Sequence, residues 1–275
     1  MEILTKSFEE QELRKNFIEF LPLYLARPIQ DNAGGMGINH SFALWSILRK
    51  IKPKLFVESG VWKGHSTWIA ELASPSTKII CFDLDFKVLE FKSRQATYIE
   101  SDFQSYDWAQ RQKWGGDLSD SLIMFDDHQN VYERIKSAYF FGFKNIIIED
   151  NFPVGEGDGY SLKHIFAAEG FISMQQSEKW KGSRRQQFQR ARQEKFLRKF
   201  GAAQSRIVDK NPFDRENLNK NVKFMFEFPP IWLEKYSIYG PAYVGKYKTE
   251  PPILSECPIP GLDYSYGYLT YLGLK

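Results

Sequence analysis

Apolar and polar residues recur along this chain with two different periods, and the switches between them mark its elements. Over residues 7–25, Phe8, Leu13, Phe17, Leu21 and Tyr24 return at helical spacing, which predicts an amphipathic helix. Residues 27–40, RPIQDNAGGMGINH, carry Pro28 and three glycines and read as a loop. Helical spacing resumes over 41–51, with Leu44, Leu48 and Ile51 on one face, Ser41 as the cap and Pro53 as the stop. From Lys54 onward short apolar runs alternate with helix-length stretches. The pattern predicts strands at 55–59, 78–85, 96–103, 121–127 and 144–150, and helices at 65–73, 86–94 and 130–143. In the last helix Val131, Ile135, Ala138 and Tyr139 are expected to face inward. This alternation predicts an α/β fold, a doubly wound and mostly parallel sheet with helices on both faces.

After Pro153 the regularity fades. Residues 154–161 form a glycine-rich loop, 162–174 read as a helix, 179–200 as a basic helix-prone stretch, and 201–220 as polar loop. A strand pattern returns at 221–228, where Phe224, Phe226 and Phe228 alternate against Val222 and Met225. We expect one domain over 1–275. Its parts are an N-terminal helical cap (1–53), a core (54–151), an insertion or lid after the fifth strand (152–220), and C-terminal strands with a tail (221–275).

Composition narrows the class. A chain of 275 residues, 43% hydrophobic, can fill one large α/β core. The formal net charge of +3 gives no global signature of a polyanion partner. Cys81 lies inside an apolar strand, which predicts a buried free thiol. The first residues lack a signal-peptide pattern, and no stretch approaches the ~20 apolar residues of a membrane span. The expectation is a cytoplasmic protein without membrane contact.

The chemistry gathers at the ends of strands. SLIMFDDHQN (121–130) and KNIIIEDNFP (144–153) each stop abruptly on carboxylates, Asp126 and Asp127 in one, Glu149 and Asp150 in the other. A parallel sheet places such tips together at its carboxyl edge, where ligands bind. Upstream, Glu58-x-Gly60-x-x-x-Gly64-x-Ser66 follows a strand and opens a helix. Gly60 allows a tight turn there, and the helix start offers unpaired N–H groups. The spacing is neither a dinucleotide fingerprint nor a P-loop. CFDLD ends a second strand, where Asp83 is placed to accept hydrogen bonds from ribose hydroxyls; Asp85 is the alternative. ESDF ends the third, with Asp102 placed for an adenine amino group and Phe103 for stacking. Each acid has a plain alternative as a helix cap or a solvated turn.

The run from VESGVWKGHSTW through CFDLD, ESDF, MFDDH and IIIEDN, about residues 34–151, resembles the class I S-adenosylmethionine-dependent methyltransferases. FDDH followed by IIEDN resembles the metal-dependent O-methyltransferases of the catechol type, and also the cephalosporin-hydroxylase-like and macrocin O-methyltransferase-like families. The resemblance implies S-adenosylmethionine as cofactor, at Glu58, Gly60, Gly64, Ser66, Asp83, Asp102, Phe103 and Asp126. It implies Mg²⁺ or another divalent cation at Asp127, Asp150 and Asn151, or with Glu149 and Asp150 as an acidic pair. The lysine base of catechol-type enzymes is replaced by Asn130, which leaves Asp127, His128 and His40 as the catalytic candidates.

The implied activity is O-methylation of a small hydroxylated molecule, a sugar or glycosylated metabolite by preference. Two rivals stand beside it: a nucleic-acid methyltransferase using the basic residues 179–199, and a non-catalytic or differently catalytic protein on the same fold. The loop 32–41, with Gly34, Gly35, Met36, Gly37 and His40, is either a mobile cover or a linker. The aromatic tail 264–272 is open to three readings: pocket wall, core packing, or a contact in a homo-oligomer.

Overall fold

The computed structural model describes residues 8–154, 157, 159–169, 171–172, 207–208, 211–233 and 251–275. The basic stretch 179–199 lies outside them. Helix α1, Glu10–Leu25, buries Leu13, Phe17, Phe20 and Tyr24 along one stripe, and places Glu10 and Glu12 at its electropositive start. Leu21 lies at the rim of that stripe. Helix α2, Ile38–Ile51, is buried at every position from Ile38 to Leu48. It begins three residues before the expected Ser41 cap. Gly37 precedes it because that backbone presses on another segment: a Cβ there would lie 2.6 Å from the carbonyl oxygen of Asp263. Lys52 in the left-handed conformation ends the helix ahead of Pro53.

The core strands are β1 (Leu55–Ser59), β2 (Lys78–Asp83), β3 (Ala96–Glu100), β4 (Leu122–Phe125) and β5 (Asn145–Ile148). Helix α3, His65–Ala73, links β1 to β2, and α4, Val131–Phe141, links β4 to β5. In α4 Val131, Ile135 and Ala138 face inward as expected; Tyr139 does not, and lies exposed. Residues 86–94 are not helical. The Lys63 carbonyl accepts from the Glu90 and Phe91 N–H groups, so tertiary bonds hold that segment as an irregular loop. The third strand stops at Glu100, and 3₁₀ turns follow at Phe103–Ser105 and Trp108–Trp114.

Beyond β5, helix α5 is short, Leu162–Ala167, and gives way to a two-strand pair, β6 (Phe171–Ile172) with β7 (Ile207–Val208). Helix α6, Pro212–Asn221, occupies residues read as loop. Strands β8 (Val222–Glu227) and β9 (Thr270–Leu274) complete a seven-stranded sheet in the order β3-β2-β1-β4-β5-β9-β8. All pairings from β3 through to β5 are parallel, and β9 runs antiparallel between β5 and β8. A doubly wound order of seven with its seventh strand reversed is the Rossmann-like methyltransferase sheet.

Side chains alternate between two cores, as a strand period of two requires. Phe56, Ile79, Cys81, Met124 and Ile147 face α1, α2 and α3. Val57, Ile80, Phe82, Ile123 and Ile148 face α4 and α5. The N-terminal helices α1 and α2 therefore share one layer of the sandwich with α3. Cys81 is a buried free thiol, and Cys257 is also unpaired. No described helix is long and apolar enough to cross a membrane.

Candidate functional site

Strand order reverses between β1 and β4, so the crevice outside their carboxyl ends is the switch point of the sheet. Gly60 leads out of β1 at φ +91°, and a Cβ there would sit 2.3 Å from the Asp126 carbonyl oxygen, which pins the glycine turn against the β4 tip. Asp83 anchors that turn. Its Oδ2 accepts from the N–H groups of Val61 and Trp62 at 2.9 and 3.0 Å, and its Oδ1 accepts from Leu84 at 2.7 Å. Trp62 is thereby held at φ 48° with its indole partly exposed, and Leu84, on the other side of the Asp83 carboxylate's bonds, is exposed as well.

Glu58 and Ser66 lie elsewhere than expected. Glu58 is fully buried beneath the turn, where Ser66 Oγ donates to one carboxylate oxygen and Thr67 Oγ1 to the other at 2.6 Å. The Cys81 thiol adds a contact at 3.5 Å. Burial pushes the Glu58 carboxyl up to about 7 against the pull of these donors. The two residues brace α3 to β1 and do not face the crevice. Gly64, at φ +90°, serves packing: a Cβ would meet the Phe91 carbonyl oxygen at 2.3 Å.

Asp102 and Phe103 are also corrected. Arg134, nearly buried on α4, grips Asp102 with two bonds of 2.9 and 2.6 Å, and Asp102 caps the following turn through the Gln104 N–H. Phe103 is wholly buried, its ring 5.1 Å from that of Phe125 and packed on Phe141, with no face left for a base. Arg134 escaped the sequence reading. Its second partner is Asp127, at 3.0 Å, and Asp127 also accepts from Ser59 Oγ at 2.6 Å.

Asp126 and Asp127 thus diverge. Asp127 turns to Arg134 and Ser59, while Asp126 joins His128 and Asp150, whose ligand atoms all lie within 4.8 Å of one another. These three residues line a small pocket with Asp127, Arg134 and Gly159, so Asp127 stays at its wall while bonded to Arg134. Burial, and then the charge of Glu149, pushes the Asp126 carboxyl well above the carboxylate range. His128 Nδ1 stands 3.5 Å from Asp150 Oδ2.

Of the other expected cation ligands, Glu149 bonds to His40 Nδ1. Burial would raise the Glu149 carboxyl, but its pairing with His40 reverses this and leaves it lowered. Asn151 is buried with both ends of its amide used: its Nδ2 donates to Thr270 Oγ1 at 2.9 Å, and its Oδ1 accepts from the Lys163 N–H at 3.1 Å. It does not face the crevice. His40 is buried and bonded on both nitrogens, with the Gly267 N–H donating to Nε2 at 2.5 Å. In the loop before it, Met36 is in the core, and Gly35 lies against Trp62. The Lys63 ammonium holds that loop through the Asp31 carbonyl at 2.6 Å.

Backbone strain marks the same edge. Among the described residues five non-glycines have positive φ; Lys52 and Ala168 are helix ends, and the others are Trp62, His128 and Tyr268. Those three belong to the loops after β1, after β4 and before β9, and bulky residues persist in such conformations where the surroundings over-determine them. With Asp83, Asp126, Asp127, Glu149 and Asp150 on one edge, the crevice suits cationic ligands.

No protein-family model and no curated protein matches the chain. Solved structures similar to it include an apo structure of CmcI, 21% identical over 40% of this chain and 52% of that one, with a TM-score of 0.32. A CmcI structure described with Mg and SAM is 19% identical over 44% and 57%, at 0.32. The O-methyltransferase TomG from Streptomyces achromogenes, in complex with SAM, is 12% identical over 53% and 66%, at 0.36. The chain spans a little over half the length of the CmcI chains. The fold rests on the strand order and register above.

Proposed function

We propose that this chain is an S-adenosylmethionine-dependent O-methyltransferase that acts on a small hydroxylated molecule with a divalent cation on its acidic edge. One observation carries the reading. The trio Asp126, His128 and Asp150 converges at the switch point, beside a glycine turn that Asp83 anchors.

The residues present fit both groups. Two carboxylates and an imidazole are a donor set for a divalent cation, and their crowding at one tip favours a positive charge among them. The exposed Trp62 and Leu84 give an apolar wall beside the Asp83 carboxylate, suited to a ligand with both a ring system and hydroxyls. The expected ligand set changes: Asp126 takes the place of Asp127, His128 joins, and Glu149 and Asn151 are engaged by His40, Thr270 and Lys163 instead.

S-adenosylmethionine would supply an activated methyl group for in-line displacement. The cation would hold the acceptor hydroxyl and lower its pKa. Asp126, His128 and Asp150 fix the place of attack, and Asp83 keeps the turn and Trp62 in position. His128 belongs to the cation's donor set and His40 has both nitrogens engaged, so neither is assigned the acceptor's proton. On the family resemblance, a sugar or glycosylated metabolite is the preferred acceptor.

Thermal shift and calorimetry with S-adenosylmethionine test the reading. Ligand at 100 times its Kd stabilises the folded state by about 2.7 kcal/mol. Asp83→Ala is expected to weaken that binding. Asp126→Asn and Asp150→Asn are expected to abolish cation-dependent turnover and spare cofactor binding. No stabilisation by millimolar cofactor would refute the assignment.

A further inference from the structure

The first turn of α2 spends three successive buried side chains on three different elements. Asn39 donates to the Tyr264 carbonyl at 2.7 Å and accepts from the Ile231 N–H at 2.8 Å. Ser41 Oγ pairs with His65 Nε2 at 2.9 Å. Between them, His40 reaches the acidic edge. We propose that His40 is a positioning residue of the site, which fixes the Glu149 carboxylate beside Asp150 and seats the Gly267 backbone against the same strand tip.

The hydrogen bonds determine the tautomer. The Gly267 N–H donates to Nε2, so that nitrogen carries the lone pair, and the imidazole proton resides on Nδ1. Nδ1–H therefore donates to Glu149. With both nitrogens committed, His40 has no site left for a substrate proton. It acts on the reaction through Glu149 and Gly267.

Gly267 shows how tight this arrangement is. A Cβ there would lie 2.3 Å from His40 Cε1 and 3.1 Å from Asp150 Oδ1. Its carbonyl accepts from the Asn151 N–H at 3.0 Å. The strand leading into β9 is thus stitched on one side to His40 and on the other to the end of β5. Glu149, Asp150 and Asn151 are each located by a different contact, and Asp150 is left facing Asp126 and His128. Without the imidazole, the buried Glu149 side chain keeps only another acid, Asp150, as its partner. Its relaxation moves the one residue shared by the two clusters, His40–Glu149–Asp150 and Asp126–His128–Asp150.

This assignment rests on the reading of the edge as a cation site. Its test is Mn²⁺ affinity of the full chain by electron paramagnetic resonance, without cofactor or substrate, with melting curves as a control. His40→Leu is expected to weaken Mn²⁺ binding about tenfold or more, the scale seen when a partner behind a metal ligand is lost. His40→Gln keeps a donor and an acceptor on one planar end and is expected to restore most of the affinity. In the wild type, nitrogen-15 spectra should show His40 as the Nδ1–H tautomer.

Unchanged Mn²⁺ affinity in His40→Leu, with the wild type binding, overturns the assignment alone. So does an Nε2–H tautomer. No Mn²⁺ binding by the wild type overturns the cation reading and this assignment together. Should His40→Leu fail to fold, Gly267→Ala displaces the same ring, and the same loss is expected.

Discussion

Replacing Arg134 by leucine tests the electrostatics under the site. The guanidinium side chain is 5% exposed and pairs with Asp102 and Asp127, whose side chains are 34% and 13% exposed. Removing it leaves two carboxylates near the interior without their cation. Breaking a buried pair in this way costs about 3–5 kcal/mol. Water reaches Asp102, so the lower end applies, about 3 kcal/mol. For a chain of this size that is a fall of roughly 6–12 °C in melting temperature.

The sign with pH follows. Burial alone would raise the Asp102 carboxyl, but the bonds and charge of Arg134 reverse this and leave it lowered. A lowered carboxyl lends stability that is present above its unfolded pKa and is lost as pH falls through the folded value. Urea melts followed by circular dichroism should therefore show a gap between wild type and Arg134→Leu that is full at pH 7 and narrows below about pH 4. A gap under about 1 kcal/mol at pH 7, the range of an exposed ion pair, would refute the reasoning. A gap of equal size at pH 3 would refute it too.

Glu58 has the opposite sign. Its raised carboxyl favours the protonated folded state, so its contribution is full below about pH 4.5 and is lost toward pH 7, by on the order of 3 kcal/mol; the change in stability over that window should differ between wild type and Glu58→Gln by about that amount, and identical pH profiles would argue against Glu58 as a source. Gly60→Ala combines a positive φ with a Cβ 2.3 Å from the Asp126 carbonyl oxygen, and should cost several kcal/mol, well beyond the ~1 kcal/mol of an ordinary glycine replacement; a variant that melts like the wild type would show that the turn can yield. Asp126→Asn relieves crowding with Glu149 and should raise the melting temperature while it abolishes Mn²⁺ binding; a lower melting temperature would mean that the carboxylate is needed for folding.

The strands were legible because each is an apolar run bounded by proline, glycine or acids, and their order followed from the alternation with helices. Residues 86–94 misled because their backbone bonds go to the Lys63 carbonyl, a partner that no local pattern reveals. Helix α6 was hidden by its polarity, with Asp214 and Leu218 its buried residues. At the site, the sequence placed the acids at strand tips but did not say which way each one points. Pairing ends at Phe125 with Ile148, so the strand period of two no longer governs Asp126 and Asp127, and tertiary partners such as Arg134 and Ser59 decide where each points. Arg134 was invisible because an arginine between Val131 and Ile135 reads as a solvated position until its two carboxylates are known.

Strand β9 fills the slot between β5 and β8, yet β8 precedes it in the chain. During synthesis β8 waits without a neighbour, and Phe224 and Phe226 lack the cover that Tyr271 later gives them. The sheet closes by late insertion, a stage at which unpaired edges invite aggregation. Gly267 lies on the approach to that inserted strand, so the same insertion that fills the sheet also sets the His40 clasp at the acidic edge.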